Sequence, residues 1–258
     1  MSVRVEALGN VLTVTLDRPE VHNAIDPVSH RQLLEAWTRL RDDESLGVGL
    51  LTGAGTRAFC AGIDLHHLDE FYFESRPGER RDRWVREPGI GGLTRNFDPG
   101  KPVIAAIDGY CLGLGLELAL ACDIRLATPS AVFGLPEVRW GIIPGQGGTQ
   151  RLSRAVPSNI ALEMILTGLP ISASRARDVG LVNRVIPRPR LLPEARRLAE
   201  RIAALPPRAV RRAREAVRRG LEMPLADALR LEQDLADPLR TEGVGRAAHA
   251  TLCRRRRA

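Results

Sequence analysis

Apolar and polar residues alternate along Val3-Arg-Val-Glu-Ala-Leu8 and again along Val11-Leu-Thr-Val-Thr-Leu16, with Gly9-Asn10 between them. Period two on both sides of a two-residue turn predicts a β-hairpin. The period then lengthens. Asp26 and Pro27 supply an N-cap and a first-turn proline, and Leu33, Leu34, Trp37 and Leu40 recur at helical spacing until Asp42-Asp43, which predicts one amphipathic helix. Val48-Gly-Leu-Leu-Thr52 and Val103-Ile-Ala-Ala-Ile107 are short continuous apolar runs, the pattern of buried strands. The first runs into a small-residue loop from Gly53 to Gly62, the second into Asp108-Gly109.

Between these runs, Asp64 to Asp98 is dense in charge. Arg76, Arg80, Arg81, Arg83 and Arg86 interleave with Glu74, Glu79, Asp82 and Glu87, among Phe71, Tyr72, Phe73 and Trp84. This segment reads as a mobile helical cover. After Gly115 a very apolar helix runs through Ala121, and strands are expected near Asp123 to Ala127 and Val132 to Gly134. Pro206-Pro207 marks a break before a helix from Arg208 to Arg219; helical stretches from Leu225 to Leu235 and Thr241 to Arg254 close the chain. Strands gather at the front and helices at the back, which predicts an α/β core over residues 1–186 and a helical C-terminal region over 187–258.

At 258 residues, with 44% apolar and 27% charged, the chain can bury roughly 70% of the surface it exposes when unfolded. Only ten residues are aromatic, so the core is aliphatic and a surface built to stack on bases is not indicated. The formal charge is +7, yet Lys101 is the only lysine among 38 basic side chains. Arginine keeps its proton, so Schiff-base chemistry or a neutral amine base falls to Lys101 alone. Lys101 stands between Gly100 and Pro102 at the mouth of a strand, without the Ser or Thr and following helix of a phosphate loop. Cys60, Cys111, Cys122 and Cys253 form no CxxC pair, and the first three lie in apolar or small-residue surroundings with no His at metal spacing, the pattern of reduced thiols in a cytosol rather than a disulfide scaffold or zinc site. No apolar stretch reaches about 18 residues without charge, and the terminal Arg-Arg-Arg-Arg-Ala is no lipidation signal. These features predict a soluble cytoplasmic protein with no metal and no membrane partner.

Two carboxylates lie in apolar company. Glu117 sits among leucines and alanines in Leu112-Gly-Leu-Gly-Leu-Glu-Leu-Ala-Leu-Ala121; Glu137 follows Pro136 in Phe133-Gly-Leu-Pro-Glu137. Desolvation raises the pKa of such a group while a helix N-terminus lowers it, and opposed effects of this kind tune a carboxylate for proton transfer near neutral pH. Either one alone reads equally well as the partner of an arginine such as Arg125 or Arg139.

The segments Ala58-Phe-Cys-Ala-Gly-Ile-Asp-Leu65, Lys101 to Tyr110, Gly115 to Asp123, Phe133 to Glu137 and Gly141-Ile-Ile-Pro-Gly-Gln-Gly-Gly-Thr-Gln-Arg151 resemble, in order and spacing, the enoyl-CoA hydratase (crotonase) superfamily. The similarity extends from Arg18-Pro-Glu-Val-His-Asn-Ala24 to Gly180-Leu-Val-Asn-Arg-Val185. It implies a spiral of ββα units with a helical trimerisation region, assembling as a homotrimer or dimer of trimers. It also implies an acyl-CoA substrate, with no further cofactor, whose thioester oxygen meets the amides of Ile63 and Leu114 and becomes an enolate stabilised there. Glu117 and Glu137 fall where hydratases of this family place their two acids, Glu117 mainly activating water and Glu137 mainly exchanging the α-proton. The positions matching the family's CoA and substrate contacts are His22, Ala24, Ala61, Gly62, Asp64, Leu65, His66, Tyr110, Leu112, Gly113 and Pro136; His22 and His66 also read as ordinary surface residues.

One departure stands out. The family usually carries three consecutive glycines where this chain reads Gly113-Leu-Gly115. If position 114 requires φ > 0 the leucine is strained; if φ is negative its side chain turns into the core at no cost. The resemblance implies an enoyl-CoA hydratase-type lyase, with carnitinyl-CoA dehydratase-like or enoyl-CoA isomerase activity as alternatives. The segments Phe97 to Tyr110 and Glu222-Met-Pro224 are similar to the dehydratase branch. A non-enzymatic alternative is a CoA- or RNA-binding relative with a disabled oxyanion hole. On the arginine-rich helix, Ala209, Val210, Ala213, Ala216 and Val217 form an apolar stripe, which puts the arginines on its solvated side and makes nucleic acid a poor partner.

Overall fold

The computed structural model describes residues 2–72 and 77–241. The N-terminal alternation folds as expected into β1 (Val3–Leu8) and β2 (Val11–Leu16), paired antiparallel from Val3 opposite Leu16 to Leu8 opposite Val11. Asp26 caps α1 (Pro27–Asp42), its carboxylate accepting the Ser29 amide at 2.6 Å, and Leu33, Ala36, Trp37 and Leu40 form the buried stripe.

From there the chain alternates between two sheets. β3 (Val48–Gly53) joins the first and β4 (Ala58–Cys60) the second. After α2 (Leu68–Tyr72) and α3 (Pro77–Arg86), β5 (Val103–Ile107) returns to the first sheet and β6 (Tyr110–Leu112) to the second. α4 (Leu114–Ala121) follows, then β7 (Ile124–Ala127) in the first sheet and β8 (Val132–Gly134) in the second. Beyond α5 (Gly148–Ala155) and α6 (Ser158–Thr167), β9 (Ile171–Ser172) extends the second sheet; after α7 (Ala173–Asp178), β10 (Arg184–Val185) extends the first. The strand orders are β1-β2-β3-β5-β7-β10 and β4-β6-β8-β9, parallel except for the β1/β2 hairpin and the β8/β9 pair. This is the expected spiral of ββα units. β4 and β6 lie in stretches that sequence patterning left without strands, because three residues show no period.

β3 and β5 are almost wholly apolar because the first sheet is covered on both faces, and the one polar side chain, Thr52, donates to the Ala106 carbonyl at 3.0 Å. One face meets the main core, where Leu12, Leu16, Trp37, Leu51, Phe59, Leu116 and Phe133 pack. The other is covered by α8 (Arg188–Ala203), whose Leu191, Ala195 and Ala199 cluster with Val11, Val48, Leu50, Ile104, Ala106 and Leu126. The first helix beyond residue 186 is thus bound to the sheet.

α9 (Pro207–Gly220) and α10 (Leu225–Thr241) pack together at the end of the described chain. The expected orientation of α9 holds for Arg208, Arg212 and Arg219, which are exposed, and is reversed for its other three arginines. Ala209 and Ala213 are exposed and Val217 is 63% exposed, while Arg211, Arg214 and Arg218, three and four residues apart, face the body of the protein. Arg214, with a side chain only 10% exposed, reaches Asp123 and Asp98 at 2.8 Å each; Arg218 meets Asp123 at 3.2 Å and Arg211 meets Glu44 at 2.9 Å. Asp123 also accepts the Val103 amide at 2.8 Å. The arginines share the helical period of the apolar stripe, and the acids beside the sheet decide which of the two faces turns inward. The helix expected from Thr241 to Arg254, Cys253 and the terminal arginines lie outside the described residues, as do the side chains of Phe73 and Arg76 in the cover.

Arg214→Met removes the closer of the two cations that Asp98 and Asp123 share and leaves them to Arg218, at 3.7 and 3.2 Å. The expected loss is about 2–3 kcal/mol in chemical denaturation, below the usual cost of breaking a fully buried pair because Asp98 is half in solvent.

Candidate active site

β4, β6 and β8 are short, adjacent and parallel, so their C-terminal ends lie at one edge of the second sheet. Ile63 follows the first, Leu114 the second and Glu137 the third. Gly113, at the N-cap of α4, takes φ +53°, and Leu114 begins the helix with negative φ. The strain considered for Leu114 is therefore absent: Gly113 carries the left-handed turn, and the leucine side chain, 2% exposed, packs in the main core. At Gly115 a Cβ would fall on the Cys60 carbonyl. Only a glycine lets α4 press this close to β4, which brings the Leu114 nitrogen beside Gly62. Among the described residues neither the Ile63 nor the Leu114 N–H has an acceptor.

Glu137 opens a short 3-10 turn, Glu137–Trp140, after Pro136. Its Oε1 lies over Gly113, within 3.3 Å of where a Cβ would stand, and its Oε2 is buried without a hydrogen-bond partner. Burial pushes its carboxyl up to about 7; its own backbone N–H opposes this and the charge of Glu117 adds to it. Glu117 is 2% exposed in the first turn of α4. Its Oε1 accepts the amides of Gln146 at 2.7 Å and Gly148 at 2.8 Å. Burial raises its pKa, while those two amides and then Arg151 and Arg95 work against the rise. The arginine partners weighed for the two acids are not there. Arg125 donates to the carbonyls of Leu181, Ala119 and Cys122, and the Arg139 stem packs at Gly168.

Sequence reading missed the groups that hold Glu117. Gln146 is buried; its Oε1 accepts the Ile90 amide and the Thr94 hydroxyl, both at 3.1 Å. Tyr72, from the cover, hydrogen-bonds the Gln146 side chain, and burial pushes its phenol up to about 12. The run of glycines before α5 signalled a backbone approach; Tyr72, Thr94 and Arg95 carried no local signal. Lys101, the one amine, donates Nζ to the Asp43 carbonyl at 2.8 Å. Among the described residues no cluster of three or more His, Cys, Asp or Glu could hold a metal, and no helix is long and apolar enough to cross a membrane.

The other candidate positions divide into three groups. Leu112, Gly113 and Pro136 stand at the strand ends beside the acids, with Gly62 across from them. Ala24, Ala61 and Asp64 form a braced loop: Arg18 donates to the Ala24 carbonyl at 2.8 Å and to Asp64 at 2.9 Å, and Ala61 donates to the His22 carbonyl at 3.0 Å. Asp64 also caps the turn that carries Leu65, which is 72% exposed, and His66, likewise exposed. His22 and Tyr110 meet edge to face at 6.4 Å. They line a cleft of about 470 Å³ with Thr56, Arg57, Gly109, Ser130 and Val132, at the starts of β4, β6 and β8 rather than at the ends where the acids gather.

The family model described as enoyl-CoA hydratase/isomerase matches residues 6–246. A carnitinyl-CoA dehydratase from Proteus mirabilis is 42% identical over 230 residues, covering 89% of this chain and 85% of that protein. An (E)-benzylidenesuccinyl-CoA hydratase from Thauera aromatica is 42% identical over 225 residues, 87% of this chain and 85% of its own. The crystal structure of an enoyl-CoA hydratase from Mycobacterium marinum superposes with a TM-score of 0.87 at 35% identity, covering 98% of this chain and 96% of that one.

Glu137 holds its proton to higher pH in the folded state than in the unfolded chain, so its contribution to stability is present below about 4.5 and is lost as pH rises to about 7. Glu137→Gln, neutral throughout, is expected to melt with the wild type at pH 4.5 and at higher temperature above pH 7, as thermal unfolding across pH will read.

Proposed function

The chain belongs to the enoyl-CoA hydratase/isomerase family and is an enoyl-CoA hydratase-type lyase, and from that premise we propose how its residues divide the work. An acyl-CoA lies with its thioester oxygen between the Ile63 and Leu114 amides, which have no acceptor of their own, and the enolate formed during the reaction is stabilised there. Glu137, its Oε2 unpartnered beside these amides, exchanges the proton of the α-carbon. Glu117, oriented by the Gln146 and Gly148 amides, takes the proton of the attacking water. In hydration the water oxygen bonds to the β-carbon, the π electrons pass to the α-carbon and thioester oxygen, and Glu137 protonates the α-carbon; dehydration runs the same steps backwards. The observation that carries this reading is the meeting of two acceptorless amides with an unpaired, raised carboxyl. The second acid, held in place by two amides, favours hydration over the proton shuttle of an isomerase. No cofactor beyond the CoA of the substrate is needed for these steps.

Carnitinyl-CoA dehydratase-like activity is the second reading, supported by the likeness to enzymes of that name. The RNA-binding alternative is disfavoured because Arg211, Arg212, Arg214, Arg218 and Arg219 already pair with acids of this chain. We assign His22, Ala24, Ala61, Gly62, Asp64, Leu65, His66, Tyr110, Leu112, Gly113 and Pro136 to the CoA and substrate path, Asp64 acting through its ion pair with Arg18. Residues 1–186 form the catalytic core, and the helices described between 187 and 241 the helical region. That region supports assembly as a homotrimer or dimer of trimers through the exposed Val217, Leu221, Leu225 and Leu229. The reduced, buried cysteines fit a cytoplasmic location.

Loss of enone absorbance from crotonyl-CoA measures the reaction; no turnover across a panel of enoyl-CoAs would overturn this reading. Hydration needs Glu137 protonated and dehydration needs it ionised. The hydration rate should therefore fall, and the dehydration rate rise, as pH passes about 7, and Glu137→Gln, which can neither give nor take the α-proton, should abolish both reactions. Leu114→Pro fits the first turn of a helix but removes the N–H; it should lower kcat about 10²–10³-fold. Leu114→Ala, which keeps the N–H, should retain most of it.

A further inference from the structure

Arg95 has no ion-pair partner among the described residues. Its Nε is buried with no hydrogen-bond partner, and its guanidinium lies 5.4 Å from the centre of the Trp84 ring. Among the described residues no carboxylate pairs with it, whereas the more enclosed Arg125 and Arg214 and the half-buried Arg18 each have acceptors. Leaving a buried N–H donor without an acceptor is costly, and on a half-buried guanidinium it is tolerated where something arriving from outside completes the group.

Its position says what arrives. Arg95 follows Thr94, whose hydroxyl donates to Gln146 Oε1, and the Gln146 amide donates to Glu117. The Arg95 carbonyl accepts the Gly89 amide, and the neighbouring Ile90 amide reaches the same Gln146 oxygen, so this loop is tied to the catalytic acid. Tyr72 and Glu117 favour its charge against the opposing effect of burial. The residues assigned to CoA lie on other loops, around Ala24 and Ala61, so the arriving anion belongs to the acyl end. Two catalytic carboxylates would repel an acidic acyl group, and a neighbouring cation offsets that repulsion.

We propose that Arg95, backed by Trp84, receives a carboxylate carried on the acyl group, so that the preferred substrates are CoA thioesters of dicarboxylic acids. A guanidinium suits this role because it offers a paired N–H fork to a carboxylate. The proposal rests on the acyl-CoA reading of the site, and unreactive ligands separate the two. Calorimetric titration of the wild type with glutaryl-CoA and pentanoyl-CoA should show the dicarboxylic thioester binding about ten- to a hundredfold more tightly, the range of a charge-assisted hydrogen bond. Arg95→Gln should abolish that ratio, Arg95→Lys should keep part of it, and Arg95→Glu should turn it toward 4-(trimethylammonio)butanoyl-CoA, each variant first matched to wild type by circular dichroism. Equal binding of the two thioesters by wild type, or a ratio unchanged in Arg95→Gln, overturns the carboxylate proposal while leaving the lyase reading intact. Failure of all three thioesters to bind overturns both.

Discussion

The structure turns on the approach of one helix to one strand. Gly115 presses on the Cys60 carbonyl with no Cβ between them, and this contact sets α4 against β4 closely enough for the loops after β4 and β6 to face each other. The two free amides, the carboxyl of Glu137 above Gly113 and the burial of Glu117 one helical turn on all follow from it. A methyl group at 115 would part these loops without touching any of the chemical groups. The alternation of the chain between two sheets serves the same end, because it delivers three parallel strand ends to one edge and a different functional group from each.

The two acids are alike in residue type and unlike in situation. Glu117 is almost fully enclosed but is answered by two amides at 2.7 and 2.8 Å. Glu137 is less enclosed and keeps one oxygen unanswered. Preorganised donors favour the ionised form, so the first suits a base that must stay oriented, whereas the second stands near the midpoint of its titration at neutral pH, able to give a proton in one direction and take it in the other. The Gln146 side chain joins this pair to the cover, since its oxygen is shared by Ile90 and Thr94 while its backbone holds Glu117.

Much of this was legible in the residues. The hairpin, the capped first helix, the buried strands and the glycine loops follow from local pattern, and the order of motifs carried the fold and the two glutamates. What local pattern does not contain is direction. β4 and β6 are too short to show a period. α9 has apolar and basic residues at the same helical spacing, and only the acids at Asp98 and Asp123 determine that the basic face turns inward. For Leu114 the residues left a strained donor and an intact one equally open, because they do not say which position takes the positive φ; Gly113 bears it. Tyr72 and Arg95 sit in a charge-rich stretch where nothing in the sequence separates a side chain facing solvent from one facing the site.

That the donors at 63 and 114 are main-chain groups bears on how such a protein can change over generations. A mutation cannot delete a peptide N–H except by introducing proline, so the side chains at these positions are free to drift while the catalyst persists. Leu114 illustrates this: its bulk goes into the interior, and the amide stays where a glycine would have put it. Variation is thereby channelled toward the walls of the acyl pocket, where a single exchange such as one at position 95 can redirect which thioester is accepted, and away from the step in which the proton moves.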